Sequence, residues 1–200
     1  MPNYLLSLLY DERLGVSISR KLHDELYDLS ADGFKVIPKK APKSISVDGE
    51  DYVLDAEEIE QITKKYASAE PALERLISSE EYKALDNKSK AEAVNYVYDI
   101  YYDAAIEDVL GINRGNKALV SYAVGAETMA LLNIATKGLE SDKDKNGNTI
   151  SGSKRKKTVE VINKLKTTRE QKLLLICASG YAIKDGDIRG LKADTAKKLL

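Results

Sequence analysis

NKSKAEAVNYVYDIYYDAAIEDVL, residues 87–110, is the longest stretch of helical periodicity in the chain. Ala91, Val94, Tyr98, Tyr101, Ala105 and Val109 recur at spacings of three and four, which lines one face of an α-helix. Val97, Tyr102 and Ile106 widen that stripe, so the pattern predicts a central helix with the other elements arranged around it.

Working back towards the N-terminus, Ser79 opens a turn that contains Tyr82 and Leu85. Before it, Pro71 suits the first turn of a helix beginning near Glu70 and carrying Leu73, Leu76 and Ile77. Asp55 with Glu58 three residues later forms a capping box, starting a helix that turns Ile59, Ile62 and Tyr66 inward. Pro38 and Pro42 exclude a continuous helix, and SISVDGEDYVL (44–54) reads as a hairpin. Asp48-Gly49 supplies a two-residue turn that opposes Ile45 to Tyr52 on one face. A lone hairpin is marginal in water, so this one must lie on helices. A helix from Ser19 to Leu29 places Leu22, Leu26 and Leu29 on one stripe and ends at Asp32 and Gly33. Leu5, Leu6, Leu8, Leu9 and Leu14 predict a first short helix or apolar anchor.

Towards the C-terminus, Gly111, Asn113 and Gly115 form a break, and a helix is predicted over 116–137. Its small residues, Ala123, Gly125, Ala126 and Ala130, permit close helix approach. SDKDKNGNTISGSKR (141–155) follows, with Ser153 predicted to cap a helix from Lys154 to Lys166 bearing Val159, Ile162 and Leu165. Thr167 with Glu170 predicts another capping box ahead of an apolar helix that closes at Gly180. Ile183, Ile188 and Leu191 continue through a turn-rich segment, and 193–200 is expected to be helical. The fold class expected is mainly α, a multi-helix bundle with one small β-hairpin packed on it. Three segments are expected: 1–54, with the N-terminal helices, prolines and hairpin; 55–137, the central bundle; and 138–200, the acidic loop and C-terminal helices, alternatively continuous with the bundle.

Two hundred residues can bury a real core. Thirty-one basic and thirty-two acidic side chains leave a formal charge of −1, which offers no global attraction to nucleic acid or an anionic membrane. Any basic contact is therefore local, and Lys154, Arg155, Lys156 and Lys157 are the candidate. Four cations at a helix start oppose the helix dipole, which points to another use for them. The single cysteine, Cys177, has no disulfide partner and sits in an apolar run far in sequence from His23, the only histidine; an inert buried thiol is expected. The opening MPNYLLSLLYDERLG is interrupted by charge too soon to span a bilayer and lacks a basic flank, so no membrane partner is expected. The chain stops on Leu199-Leu200, which is expected either to dock or to mark a piece of a longer polypeptide.

Asp142, Asp144, Asn146 and Gly147 reproduce the first half of a calcium loop, where short oxygen side chains converge and a glycine allows the bend. The twelfth position, however, is Ser153 in place of a bidentate carboxylate. A weak calcium site at Asp142, Asp144 and Asn146 is thus the metal candidate, set against a plain turn before a helix. No phosphate-binding glycine pattern, HExxH, cysteine pair or serine elbow occurs. No catalytic residue and no cofactor is therefore assigned, and a non-enzyme is expected. Five of the twelve tyrosines lie between Tyr82 and Tyr102. Tyr98, Tyr101 and Tyr102 form an alternative partner surface if they are not core, while the acids Glu92, Asp99 and Asp103 among them disfavour nucleic acid.

Three stretches together carry a family resemblance: HDELYDLSADGFKVIPKKAPKSISVDGEDYVLDAEEIEQ (23–61), LERLISSEEYKALDNKSKAEAVNYVYDIYYDAA (73–105) and SDKDKNGNTISGSKRKKTVEVINKLKTTREQKLLL (141–175). Their content and order resemble the long structural proteins of bacteriophages and prophages of Gram-positive gut bacteria, tail tape-measure-like or virion-packaged chains. The resemblance covers most of the chain after residue 20. The chain departs from it at Ala67-Ser68-Ala69-Glu70-Pro71, where a glycine-containing junction is common, and in its length. What the resemblance implies is a helical module acting by protein contact in assembly. Phage structural proteins are the implied partners, and the virion or host cytoplasm the location; a host protein and a homo-oligomer are the other partner expectations. The alternatives are a freestanding phage effector that binds a host protein and a weak calcium-binding interaction module.

Overall fold

The computed structural model describes residues 19–36, 41–47, 49–111, 124–176, 183–184 and 187–188. The helix expected around Leu5–Leu14, the first half of the one over 116–137, the surroundings of Cys177 and Gly180, and the helix over 193–200 lie outside the described residues, as do Asp48 and the side chain of Tyr66. The chain forms two compact units, Met1–Ala118 and Leu119–Leu200. That division differs from the three segments expected, because the hairpin shares its core with helices that follow residue 54.

In the first unit, α1 (Arg20–Ala31) starts at Ser19, whose hydroxyl accepts the Leu22 amide, and buries Leu22, Leu26 and Leu29. It closes in a Schellman arrangement: the Gly33 amide bonds the Ser30 carbonyl and that of Phe34 bonds Leu29, with Gly33 at φ +87°. The strands β1 (Ser44–Val47) and β2 (Glu50–Val53) pair antiparallel with Ile45 opposite Tyr52. The expected capping box opens α2 (Ala56–Ala67): the Glu58 amide donates to Asp55 at 2.8 Å and the Asp55 amide to Glu58 at 2.9 Å. Pro71 lies in the first turn of α3 (Glu70–Ser78), and Ser79 caps the short α4 (Glu80–Lys83).

The long helix α5 (Asn87–Leu110) has the expected extent and is capped by Asp86, whose carboxylate accepts the Ser89 amide. Its buried residues, Ala91, Ala93, Val94, Val97, Tyr98, Ile100, Ala105 and Ile106, fall on more than one face. That spread follows from its position, since α1, α2 and α3 all pack against it. Ala105 and Ile106 join Ile62 of α2 with Ile45 and Leu54 of the hairpin in one apolar cluster. The hairpin is thereby anchored on helices, as its small size requires.

In the second unit, α6 (Ala126–Thr136), α7 (Ser153–Lys164) and α8 (Arg169–Ile176) surround Val124, Leu132, Val159, Ile162, Leu165, Leu175 and Ile176. Three expectations are corrected here. The helix predicted over 116–137 is interrupted at Gly125, whose φ of +88° lies outside the helical region, so α6 begins at Ala126. Gly152, at φ +80°, occupies the cap position of α7; Ser153 is its first helical residue, and the helix ends at Lys164. The capping box of α8 is Thr168 with Gln171, one residue beyond the expected pair: the Gln171 amide donates to the Thr168 hydroxyl at 3.2 Å and the Thr168 amide to Gln171 at 3.1 Å. A two-residue ladder, β3 (Ile183–Lys184) with β4 (Asp187–Ile188), pairs Ile183 with Ile188.

Candidate functional site

The Ser141–Ser153 segment folds as a small locked turn. Lys143 pairs with Thr149 across it, the Asp144 amide donates to the Asn148 carbonyl at 2.8 Å and the Gly147 amide returns to the Asp144 carbonyl at 3.0 Å. Gly147 sits at φ +81°, the left-handed position that a three-residue hairpin loop requires. Asp144 is its organiser: one carboxylate oxygen accepts the amides of Asn146 at 2.8 Å and Asn148 at 2.9 Å, and the other accepts the Asn148 side-chain amide at 3.2 Å. These bonds, the Asn148 backbone first, hold the Asp144 carboxyl below the usual aspartate range, although it is fully exposed.

Asp142 is engaged differently. Its carboxylate pairs with the Lys157 ammonium, which also donates to the Glu140 carbonyl at 3.0 Å. Ser153 ties the base of the turn: its hydroxyl accepts the Asp142 amide at 2.7 Å and donates to the Ile150 carbonyl at 2.9 Å. The serine expected to cap the helix thus closes the loop. Of the three calcium candidates, Asp142 faces an ammonium group and Asp144 faces its own backbone, so the two carboxylates act in two separate networks. Among the described residues no group of three or more His, Cys, Asp or Glu is placed to hold a metal ion.

Of the four cations at the start of α7, Lys157 is half-buried and holds the loop, and Lys154, Arg155 and Lys156 are exposed. The tyrosines divide too. Tyr98 is only 4 % exposed, and burial, with the nearby charge of Glu70, raises its phenol well above the ordinary value. It is core, which corrects its assignment to a contact surface. Tyr101 and Tyr102 are half-buried, and Tyr102 packs on the cluster around Ile62 and Ile106.

One group escaped the sequence reading. Tyr82, 1 % exposed, donates its hydroxyl to Glu25 at 2.8 Å; Lys90 lies 3.8 Å from the same carboxylate oxygen and 5.4 Å from the centre of the Tyr82 ring. Residues 57 positions apart make this contact, so no local pattern announces it. It joins α1, α4 and α5 with a polar contact at the edge of the core.

Among the described residues no helix is long and apolar enough to cross a membrane. Compared with protein-family models, curated proteins and solved structures, the chain matches none. The fold and site define a class: a mainly helical protein with a small hairpin, whose 141–153 loop uses Asp142 and Asp144 for its own architecture.

Proposed function

We propose that this chain is a non-enzymatic module of bacteriophage-type particles that works by protein–protein contact in virion or tail assembly. The observation that carries this reading is the exposed group of basic side chains at the start of α7. Lys157 locks the loop, while Lys154, Arg155 and Lys156 project from a fixed helix end where the dipole disfavours cations. Such a cluster gains most when an acidic partner surface covers it, and electrostatic complementarity supplies specificity and encounter rate at such contacts. The resemblance to phage structural chains supports the same reading, and with it a location in the virion or the host cytoplasm.

The test is co-purification with particles. The full chain should travel with assembled tails or virions through gradient sedimentation. The triple reversal Lys154→Glu, Arg155→Glu and Lys156→Glu should lose incorporation while keeping its melting temperature. Particles free of the native protein would overturn the assembly role, and specific capture of one host protein would then establish the effector role.

A further inference from the structure

We propose that the outer edge of β2, unpaired among the described residues, is a docking site for an extended, lysine- or arginine-bearing segment of a partner protein, which adds a third strand to the hairpin. This goes beyond the assembly role and concerns the first unit, away in sequence from the Lys154–Lys156 cluster.

The backbone makes the edge. The Leu54 amide donates to the Lys43 carbonyl at 2.9 Å, and the register pairs Ser44 with Val53, Ile45 with Tyr52 and Ser46 with Asp51. In an antiparallel ladder the residues that bond across the pair alternate with residues whose amide and carbonyl point away. Glu50, Tyr52 and Leu54 therefore bond towards β1, while the amides and carbonyls of Asp51 and Val53 point out from the hairpin. Among the described residues no other strand pairs with β2, and no hydrogen bond outside the hairpin reaches either residue. All four β2 residues are exposed, and Val53 is 81 % exposed, the most exposed of the large apolar side chains described. An exposed edge with a β-branched apolar side chain is the element that strand addition uses.

Charge selects the occupant. Residues 44–63 hold seven carboxylates and no lysine or arginine, in a chain whose overall charge is −1. Glu50, Asp51, Asp55 and Glu57 are exposed along β2 and the start of α2. The flanking cations are partly committed, with Lys64 on Glu60 and Lys65 on Asp108; Lys43 lies across the ladder from Leu54. A second copy offering the same edge would bring a second set of these carboxylates to it and no lysine or arginine from 44–63 to offset them. A strand with cations at alternate positions sets them all on one face, beside Glu50, and presents its apolar residues on the other face, beside Val53.

The experiment follows amide exchange by NMR in the full chain with three synthetic hexapeptides: alternating Lys-Val, alternating Glu-Val and alternating Lys-Pro. With Lys-Val, the Asp51 and Val53 amides should slow by about tenfold or more, as local opening becomes linked to peptide release. Glu-Val should leave them unchanged through repulsion. Lys-Pro should also leave them unchanged, because proline at every second position fixes φ at about −65° and removes half of the amides, so the peptide carries the charge without forming a regular strand. Val53→Pro removes an outward amide and spares the bonds to β1, so it should abolish Lys-Val binding while the Ile45–Tyr52 pairing persists. Should that variant unfold, the pair Glu50→Lys and Asp51→Lys supplies the second test and should switch preference to Glu-Val.

Binding of Lys-Pro as tight as Lys-Val, or binding that survives in a folded Val53→Pro chain, would overturn the proposal. So would protection that rises with protein concentration alone, the mark of a second copy. None of these results bears on whether the Lys154 cluster enters a particle, so the two readings fail separately.

Discussion

Asp144 shows how much one side chain can decide. Its carboxylate collects three donors from Asn146 and Asn148, and these bonds exist for the ionised form, so its pKa falls below the ordinary 3.8. A depressed folded-state pKa contributes stability that is complete above the unfolded value and is lost as pH falls through the folded one. Order in the turn should therefore persist at neutral pH and loosen below about pH 4. Asn148 amide exchange should report it, and Asp144→Asn should weaken protection at neutral pH and flatten its acid dependence; an unchanged acid profile in the variant would remove Asp144 as organiser. Tyr82 and Tyr98 work at the other end of the scale. Burial raises both phenols above the ordinary 10.0, helped by the Glu25 hydrogen bond at Tyr82 and by the Glu70 charge at Tyr98. Groups kept neutral in the fold add stability that is full below pH 10 and declines above it, because the unfolded chain ionises first. Near-ultraviolet titration should show Tyr82 and Tyr98 ionising only as the protein unfolds, with Tyr82→Phe and Tyr98→Phe each removing one tyrosine from the late step. A late step of undiminished amplitude in both variants would show that other tyrosines are the protected ones.

At the scale of elements, the contact between α2, α5 and the hairpin is the joint to break. Ile106 is 2 % exposed and meets Ile45, Leu54 and Ile62 in one cluster. Ile106→Ala should cost about 3 kcal/mol, read as a lower urea midpoint at unchanged slope. Combined with Ile62→Ala it should fall short of the sum, since both side chains border the same void. Additive losses would mean that the two do not share a core. The sequence announced this part of the molecule well, because period and caps agree there: α5 keeps its expected extent and the Asp55–Glu58 box closes as spacing requires. Spacing fails where two solutions overlap. Thr167-Thr168-Arg169-Glu170-Gln171 contains two possible boxes, and geometry takes Thr168 with Gln171 while the Thr167 hydroxyl also turns to Gln171. Gly125 hides for another reason: its neighbours suit a helix, and the positive φ that ends the periodicity leaves no trace in an apolar pattern. The candidate site was legible as a turn through Asn146-Gly147, but the Lys157–Asp142 pair and the Ser153 tie depend on how the loop returns onto α7. Tyr98 was ambiguous because an amphipathic ring suits a core and a contact surface equally well.

For the whole molecule, charge acts locally and leaves stability almost untouched. The ion pairs described, including Arg20–Asp24, Lys64–Glu60, Lys83–Glu80 and Lys157–Asp142, join side chains that keep a third or more of their exposure. Lys90–Glu25, more enclosed, is separated by 3.8 Å and shares its carboxylate with Tyr82. Exposed pairs of this kind contribute about 0 to 1 kcal/mol each, and salt screens them. Raising salt from about 0.01 M to about 1 M shortens the screening length from about 30 Å to about 3 Å. Over that range the unfolding free energy should move by less than about 1 kcal/mol, because the apolar clusters around Ile106 and Ile162 carry the fold. Binding should behave oppositely. A run of seven carboxylates in one unit and three exposed cations in the other concentrate charge at surfaces proposed for contact. Lys-Val peptide affinity at β2 and particle incorporation through Lys154, Arg155 and Lys156 should each drop by an order of magnitude or more as salt rises. Parallel urea melts and binding titrations across the salt series separate the two behaviours. A steep loss of stability together with salt-insensitive binding would mean that the charges hold the fold and that apolar surface makes the contacts.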